Sequence, residues 1–102
     1  MVLSMIIFIN KFGSVLTSRE SGKEAYAAFQ PTLATLDPSD GITVDFSGVG
    51  TLSPGWADEF LTPLHVTYGP LLILHRTSNL SVSLTIETLE QANGISFKWE
   101  NI

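Results

Sequence analysis

The order of hydrophobic patterns along the chain predicts one α/β domain, in which helices pack on a single, mostly parallel sheet. Short apolar or alternating runs typical of strands take turns with longer segments of helical spacing, in the order β-α-β-α-β-α-β. Strands that alternate with helices over short connections favour parallel pairing through right-handed crossovers. The 102 residues suffice for one packed domain and leave no room for a second. We therefore expect residues 1–102 to form a single unit.

The chain opens with an apolar run at residues 1–9 that favours a buried strand, because it is rich in β-branched and aromatic side chains. A membrane-spanning helix needs ~20 residues. A signal peptide needs basic residues before its apolar run and small residues after it, and neither is present here. The sequence therefore predicts a cytoplasmic protein that does not associate with a membrane.

A first helix is predicted to begin at Thr17 or Ser18, because a hydroxyl group there can cap free N–H groups. Pro31 falls inside the apolar stripe of this helix. Since an interior proline costs ~3 kcal/mol, we expect a kink at Pro31 or an end near Gln30. Residues 37–41 have the composition of a turn. The apolar stripe consists of Ala25, Ala28, Phe29, Leu33 and Leu36.

The middle of the chain predicts a strand followed by a second helix. Residues 42–46 are rich in β-branched and aromatic side chains, and Gly48 and Gly50 end the strand. Ser53 and Pro54 form a strong helix start, since the hydroxyl can cap N–H groups and proline needs no donor in the first turn. A Gly-Pro pair at residues 69–70 ends this helix.

The last third of the chain contains the one ambiguous segment. The apolar run at residues 71–74 is typical of a buried parallel strand. Residues 80–87 alternate like a strand, but good helix formers follow them, and the Asn-Gly pair at residues 93–94 suits a hairpin turn or a helix stop. We favour a helix over residues 80–93 and leave the strand open. Residues 95–100 alternate like a half-exposed final strand.

Composition excludes several classes of function. The net charge is −5 and the chain contains only five Lys and Arg residues, too few for the basic face of a nucleic-acid binder. There is no cysteine, which removes disulfides and thiolate chemistry. His65 and His75 have no second ligand at metal-binding spacing. The loop that contains Gly48 and Gly50 lacks the third glycine of a dinucleotide-binding loop and the lysine of a P-loop. We therefore expect no cofactor.

The loops after the second and third predicted strands carry the candidate functional residues. Ligands of parallel α/β sheets bind beyond the carboxyl ends of the strands, so we expect residues 48–56 and 75–79 to lie side by side there. Ser47 and Ser53 are the candidate nucleophiles or phosphoacceptors, and Pro54 favours a capping role for Ser53. Asp45 is unusual inside a strand. It either faces solvent or holds the adjacent loop through N–H groups.

The same end of the domain offers a surface for a protein partner. Trp56 would anchor a partner if it were exposed, and would belong to the core if it were buried. Asp58 and Glu59 lie in the first turns of the second helix, where the helix dipole favours negative charge. Arg76 lies close to the same end. The predicted partner-binding residues are Ser47, Gly48, Thr51, Ser53, Gly55, Trp56, Asp58, Glu59 and Arg76.

The segment ITVDFSGVGTLSPGWADEFLTPL at residues 42–64 resembles the STAS domain, the fold of sulphate transporters and anti-sigma factor antagonists. Within that fold it is similar to the uncharacterised bacterial STAS-like group, where a strand ends in D-F-x-G-V and a serine precedes an aromatic-A-D-E helix start. The segment LTSRESGKEAY at residues 16–26 is similar to the start of that group's first helix. The matching positions are Asp45, Phe46, Gly48, Val49, Ser53, Trp56, Ala57, Asp58 and Glu59.

The resemblance implies a non-catalytic regulatory domain that binds a protein. Better-known antagonists of the family are phosphorylated on a serine at this helix start by a histidine-kinase-like ATPase, so a partner of that type, or another anti-sigma-type regulator, is implied. An ungapped alignment places Pro54 at the phosphoacceptor and leaves Ser53, one position earlier, as the candidate here. The alternative is a small-molecule sensor that uses the same loops and Arg76. Hydrolase or transferase chemistry would need a base next to Ser47 or Ser53. A homodimer through the edge of the last strand is left open.

Overall fold

The computed structural model describes residues 5–101, which form nine regular strands and α-helices and three short 3-10 turns. The turns span Ile9–Phe12, Pro38–Asp40 and Gly69–Leu71. The other elements follow in the order β1 (Met5–Phe8), β2 (Val15–Leu16), α1 (Arg19–Leu33), β3 (Ile42–Asp45), β4 (Thr51–Leu52), α2 (Pro54–Tyr68), β5 (Leu72–His75), α3 (Leu80–Asn93) and β6 (Lys98–Glu100).

The main sheet has four strands in the order β1-β3-β5-β6, and every neighbouring pair is parallel. Its central register row aligns Ile7, Val44, Leu74 and Trp99. The structure thus confirms the predicted α/β class and the parallel sheet. The first predicted strand covered residues 1–9, of which residues 1–4 lie outside the described part. The last strand is shorter than predicted and begins at Lys98.

A second, two-stranded parallel sheet joins β2 to β4, and the sequence did not predict it. The Ser14 carbonyl accepts the N–H groups of Gly50 and Thr51, at 2.8 and 3.0 Å, and the Leu16 carbonyl accepts that of Ser53 at 2.8 Å. Two residues are too short to show a period, and the partner strands are far apart in sequence, so periodicity could not reveal this pairing. The pairing ties the chain before α1 to the chain before α2.

Helix α1 begins where the sequence predicts but runs further than expected. The Ser18 hydroxyl caps it by accepting the N–H of Ser21 at 2.8 Å. The predicted end near Gln30 is wrong, because the helix continues through Pro31 to Leu33. Pro31 lies in the last turn, where the ring and the missing donor disturb few hydrogen bonds. The Gln30 carbonyl still accepts the N–H of Ala34 at 2.9 Å.

Residues 80–93 form helix α3, so the favoured alternative for the ambiguous segment is confirmed. The Asn79 side chain caps the helix by accepting the N–H of Val82 at 3.3 Å. Gly94 ends it in the left-handed conformation, with φ of 63°, which glycine adopts without steric cost. These two end signals outweigh the alternation of residues 80–87.

All three helices contribute to one core on the same face of the sheet. Their apolar side chains form a single cluster with Ile7, Val44 and Leu74 of the strands, and α2 packs between α1 and α3. Helices α1 and α2 approach very closely at Gly22, where an ideal Cβ atom would lie 2.5 Å from the carbonyl oxygen of Trp56. This contact positions the start of α2 against α1.

Candidate functional site

The carboxyl ends of β3 and β5 bring Asp45 and His75 together at one edge of the sheet. Each is the last residue of its strand and follows one member of the register pair Val44 and Leu74. Asp45 Oδ2 lies 3.1 Å from His75 Nδ1. The sequence analysis missed this contact. The available signal was that each predicted strand places a titratable residue at its carboxyl end.

Asp45 also holds the loop that follows β3. Its Oδ1 atom accepts the backbone N–H of Ser47 at 2.8 Å. Burial raises the pKa of Asp45, but the hydrogen bonds from Ser47 and His75 together lower it by more, so its pKa lies below the ordinary 3.8. Of the two interpretations of Asp45, the structure confirms the one in which it holds the loop.

The order of these contacts determines what the three side chains can do. The Asp45 carboxylate accepts the backbone N–H of Ser47 on one oxygen and contacts the His75 imidazole with the other. A serine–histidine–aspartate relay instead places the imidazole between the hydroxyl and the carboxylate, so that it can accept the hydroxyl proton. The observed arrangement orients Ser47 and His75 around a shared anion.

The loop at residues 47–51 is fixed from several sides, and this confirms that the two predicted loops lie side by side. Asn79 Nδ2 donates to the carbonyl of Val49 at 2.8 Å and to that of Gly50 at 3.2 Å. On the other flank the loop joins the chain before α1 through the β2–β4 sheet. Gly48 has φ of 83°, and an ideal Cβ there would lie 2.7 Å from Asn10 Nδ2. Glycine is therefore required at this position.

The start of α2 is built around the Ser53 hydroxyl. Its oxygen accepts the N–H of Trp56 at 3.2 Å and its proton goes to the Thr17 carbonyl at 2.9 Å. The predicted capping role of Ser53 is confirmed. A phosphate on this hydroxyl would break the bond to Thr17 and disturb the cap, so the geometry does not favour Ser53 as a phosphoacceptor.

Of the two interpretations of Trp56, the structure supports the one that places it in the core, so it offers no exposed anchor to a partner. Its side chain is only 1 % exposed. The ring stacks on Phe60 with centroids 5.2 Å apart and lies 5.8 Å from the ring of Phe12. Trp56 is in the first turn of α2, on the side that meets α1, where Gly22 leaves room for close packing. It is a core residue.

The acidic residues of α2 pair with α1. Arg19 Nη1 lies 2.9 Å from Asp58 Oδ2 and 3.2 Å from Glu59 Oε1, and Arg19 also borders Gly55. Hydrogen bonds from Arg19 and from Thr62 lower the pKa of Asp58 despite its partial burial. Because these ion pairs are exposed, they add little stability. They do present a mixed-charge patch beside the loop at residues 47–51.

Arg76 lies elsewhere, on a cleft of about 410 Å³ between α3 and β6. Its backbone N–H donates to the Glu100 carbonyl at 3.0 Å. The cleft also includes Glu87, Glu90 and Trp99. The predicted site residues therefore divide into two sets. Arg76 lies on this cleft, whereas Glu59 lines a groove along α1 with Arg19, Glu20 and Lys23.

Asn79 is a further residue of the candidate site that the sequence did not predict. It caps α3 with its side-chain oxygen and holds the loop at residues 47–51 with its side-chain nitrogen. An asparagine before a predicted helix is a known cap signal, so the first role could have been predicted. The second depends on a contact 30 residues away along the chain and leaves no local signal.

Comparisons with protein-family models, with curated proteins and with solved structures found no match to this chain. Among residues 5–101, His, Asp and Glu side chains form no group of three or more that could hold a metal ion. In the same part of the chain, no helix combines the length and the apolar character needed to cross a membrane.

Proposed function

We propose that this chain is a STAS-like regulatory domain of the cytoplasm that binds a signalling protein through its loop and helix start at residues 48–60, together with Ser47. In this proposal the domain is not an enzyme. The partner implied by the resemblance is a histidine-kinase-like ATPase or another anti-sigma-type regulator. The resemblance at residues 42–64 supports the family, and the fixed, exposed loop supports the binding surface.

The observation that carries the proposal is that this loop is exposed and yet held in one conformation. Ser47 and Thr51 are exposed, while Asp45, Asn79 and Ser14 hold the loop backbone by hydrogen bonds. A loop that is already ordered loses little conformational entropy when a partner binds. Exposed loops positioned by a rigid scaffold are common binding sites.

Charge beside the loop gives the surface specificity. Arg19, Asp58 and Glu59 form a patch of both signs, and all three are at least partly exposed. Complementary charges at the edge of an interface steer association and reject wrong partners more than they add affinity. We therefore expect partner binding to weaken as the salt concentration rises.

The test is native co-purification of the tagged chain from its own host, with partners identified by mass spectrometry. The wild type is compared with a double variant, Ser47→Arg with Thr51→Arg, which places two bulky charges on exposed loop positions. The wild type should recover a signalling protein in stoichiometric amount, and the double variant should lose it. Intact-mass measurement of the recovered chain shows whether any serine carries phosphate.

A matched control places arginine at Val66, which is 79 % exposed near the opposite end of α2. This variant should keep the partner, and all variants should show the melting temperature of the wild type. Retention of the partner by the double variant would exclude the loop as the binding surface. Recovery of the bare chain alone would contradict the regulatory proposal.

The cleft beside Arg76 supports a second candidate function, a small-molecule sensor. Its volume of about 410 Å³ lies in the usual range for ligand sites, ~300–1,000 Å³. Arg76 offers a cation, Glu87 and Glu90 offer two carboxylates, and Trp99 offers a flat apolar wall. A ligand of the cleft should raise the melting temperature of the wild type but not that of an Arg76→Ala variant. Equal shifts in both proteins would exclude this cleft as the ligand site.

A further inference from the structure

One face of the main sheet is left uncovered by the helices. On β1, Ile7 is buried in the core, whereas Ile6 and Phe8 on the opposite face are 45 % and 50 % exposed. On β5, Ile73 lies on the same face as Ile6 and Phe8 and is half-buried. Parallel sheets are almost always covered on both faces. Within residues 5–101 no element covers Ile6 and Phe8 on this face, so we expect a second layer there.

The strand register arranges this face in two rows that run across the sheet. The rows are apolar at the β1 side and charged at the β6 side. The first row is Ile6, Thr43, Ile73 and Lys98, and the second is Phe8, Asp45, His75 and Glu100.

We infer that the second layer is another copy of this chain, whose uncovered face packs on this one with its strands antiparallel. A two-fold axis that runs across the strands, between the two rows, places each first row over the second row of the other copy. Ile6 then lies over Phe8 of the second copy, and Lys98 lies over Glu100 of the second copy. The apolar residues of β1 and the charged residues of β6 are each complementary to themselves in this arrangement. Asp45 and His75, which already contact each other, lie over Thr43 and Ile73 of the second copy.

The other aligned arrangement does not fit. A two-fold axis parallel to the strands would place the apolar β1 side over the charged β6 side and leave Lys98 and Glu100 against Ile6 and Phe8. Within one chain Lys98 Nζ lies 3.7 Å from Glu100 Oε1, and both side chains are about half exposed. This long pair leaves both charges accessible to the second copy. Sheets packed face to face keep their strands within ~30° of one another. At that angle the long side chains of Lys98 and Glu100 can still reach each other across the interface.

The size of the face predicts a dimer that dissociates readily. The face spans four strands of only three or four residues each, set ~4.8 Å apart, so each copy buries less than the ~800 Å² of a standard interface. We therefore expect a monomer–dimer equilibrium within the micromolar to millimolar range. This surface does not include residues 48–60, although Asp45 and His75, which belong to the candidate site, lie in its second row.

The test is sedimentation equilibrium of the full chain from micromolar to millimolar concentration. The wild type should dimerise, and Lys98→Glu should weaken dimerisation roughly tenfold or more, because the symmetric contact carries the repulsion twice. Glu100→Lys should have the same effect. The double variant that exchanges both charges should dimerise within a few-fold of the wild type.

A matched control is Lys23→Glu, which makes the same charge change on an exposed position of α1 and should leave dimerisation unchanged. A wild type that stays monomeric at millimolar concentration would overturn the proposal and assign the face to another kind of partner. A single charge variant no weaker than the control, or a double variant that stays monomeric, would overturn the antiparallel arrangement.

Discussion

The close approach of α1 to α2 makes Gly22→Ala a sharp test of the packing. An ideal Cβ at Gly22 would lie 2.5 Å from the Trp56 carbonyl oxygen and 2.8 Å from the Trp56 Cα atom. Both are backbone atoms, so no side chain can swing aside. The shortest contact falls about 1 Å short of the ~3.5 Å that such atoms prefer. Helix α1 would therefore have to move away from α2.

Two opposing effects set the size of the change. Alanine is better than glycine inside a helix by ~1 kcal/mol, which would stabilise the variant. Overpacking of a tight core typically costs ~1–3 kcal/mol, and separation of the helices also loosens the ring stack of Trp56 on Phe60. We expect the free energy of unfolding to fall by ~1–2 kcal/mol on balance, which lowers the melting temperature of a domain this size by ~5–15 °C.

The assay is urea unfolding of the wild type and variant, followed by far-UV circular dichroism. The control is the reverse change on the exposed side of the same helix, Ala27→Gly, which should cost ~1 kcal/mol through helix propensity alone. If propensity governed both positions, Gly22→Ala would be stabilising by a similar amount. A variant as stable as the wild type, or more stable, would refute the close approach of the two helices.

Three further predictions concern the candidate site. Trp56→Ala should lower the free energy of unfolding by ~3–5 kcal/mol, measured by urea unfolding, and a change below 1 kcal/mol would contradict its burial. The pKa of Asp45 lies below 3.8 in the folded state. The charged carboxylate therefore stabilises the fold above pH 3.8, and this stabilisation is lost as the pH falls through the lowered pKa of the folded state. The stability difference between wild type and Asp45→Asn should therefore shrink on acidification below about pH 5; a difference independent of pH would refute the shift. Asn79→Ala should cost ~1–2 kcal/mol and speed amide exchange at residues 49–51, whereas unchanged exchange would show that Asn79 does not hold the loop.

The ends of the helices could be predicted because the signals there are local. The Ser53-Pro54 start of α2 and the Gly94 end of α3 each depend on the conformational preferences of one or two residues. Pro31 is the instructive exception. The sequence shows that Pro31 removes one hydrogen bond of α1. Whether the helix continues depends on the packing of the turn that follows, and Leu33 in that turn packs against the core.

The contacts that build the candidate site were harder to predict because they join distant parts of the chain. The Asp45–His75 pair depends on the relative register of β3 and β5, which strand patterns do not specify. Whether Trp56 lies in the core or at the surface could not be decided from the sequence for a related reason. Its exposure depends on whether α1 covers the first turn of α2. Gly22, the residue that allows this, lies 34 positions earlier in the chain.

The β2–β4 sheet makes the two ends of the domain unequal in their tolerance of added sequence. Extra residues between Gly48 and Leu52 would separate the Ser14 carbonyl from its two amide donors and move the start of α2 away from Thr17. The turn at residues 34–39, by contrast, is largely exposed and lies at the opposite end of the strands. Exposed turns of this kind accept insertions well, so an epitope or a fluorescent label placed there would leave the loop beside α2 unobstructed.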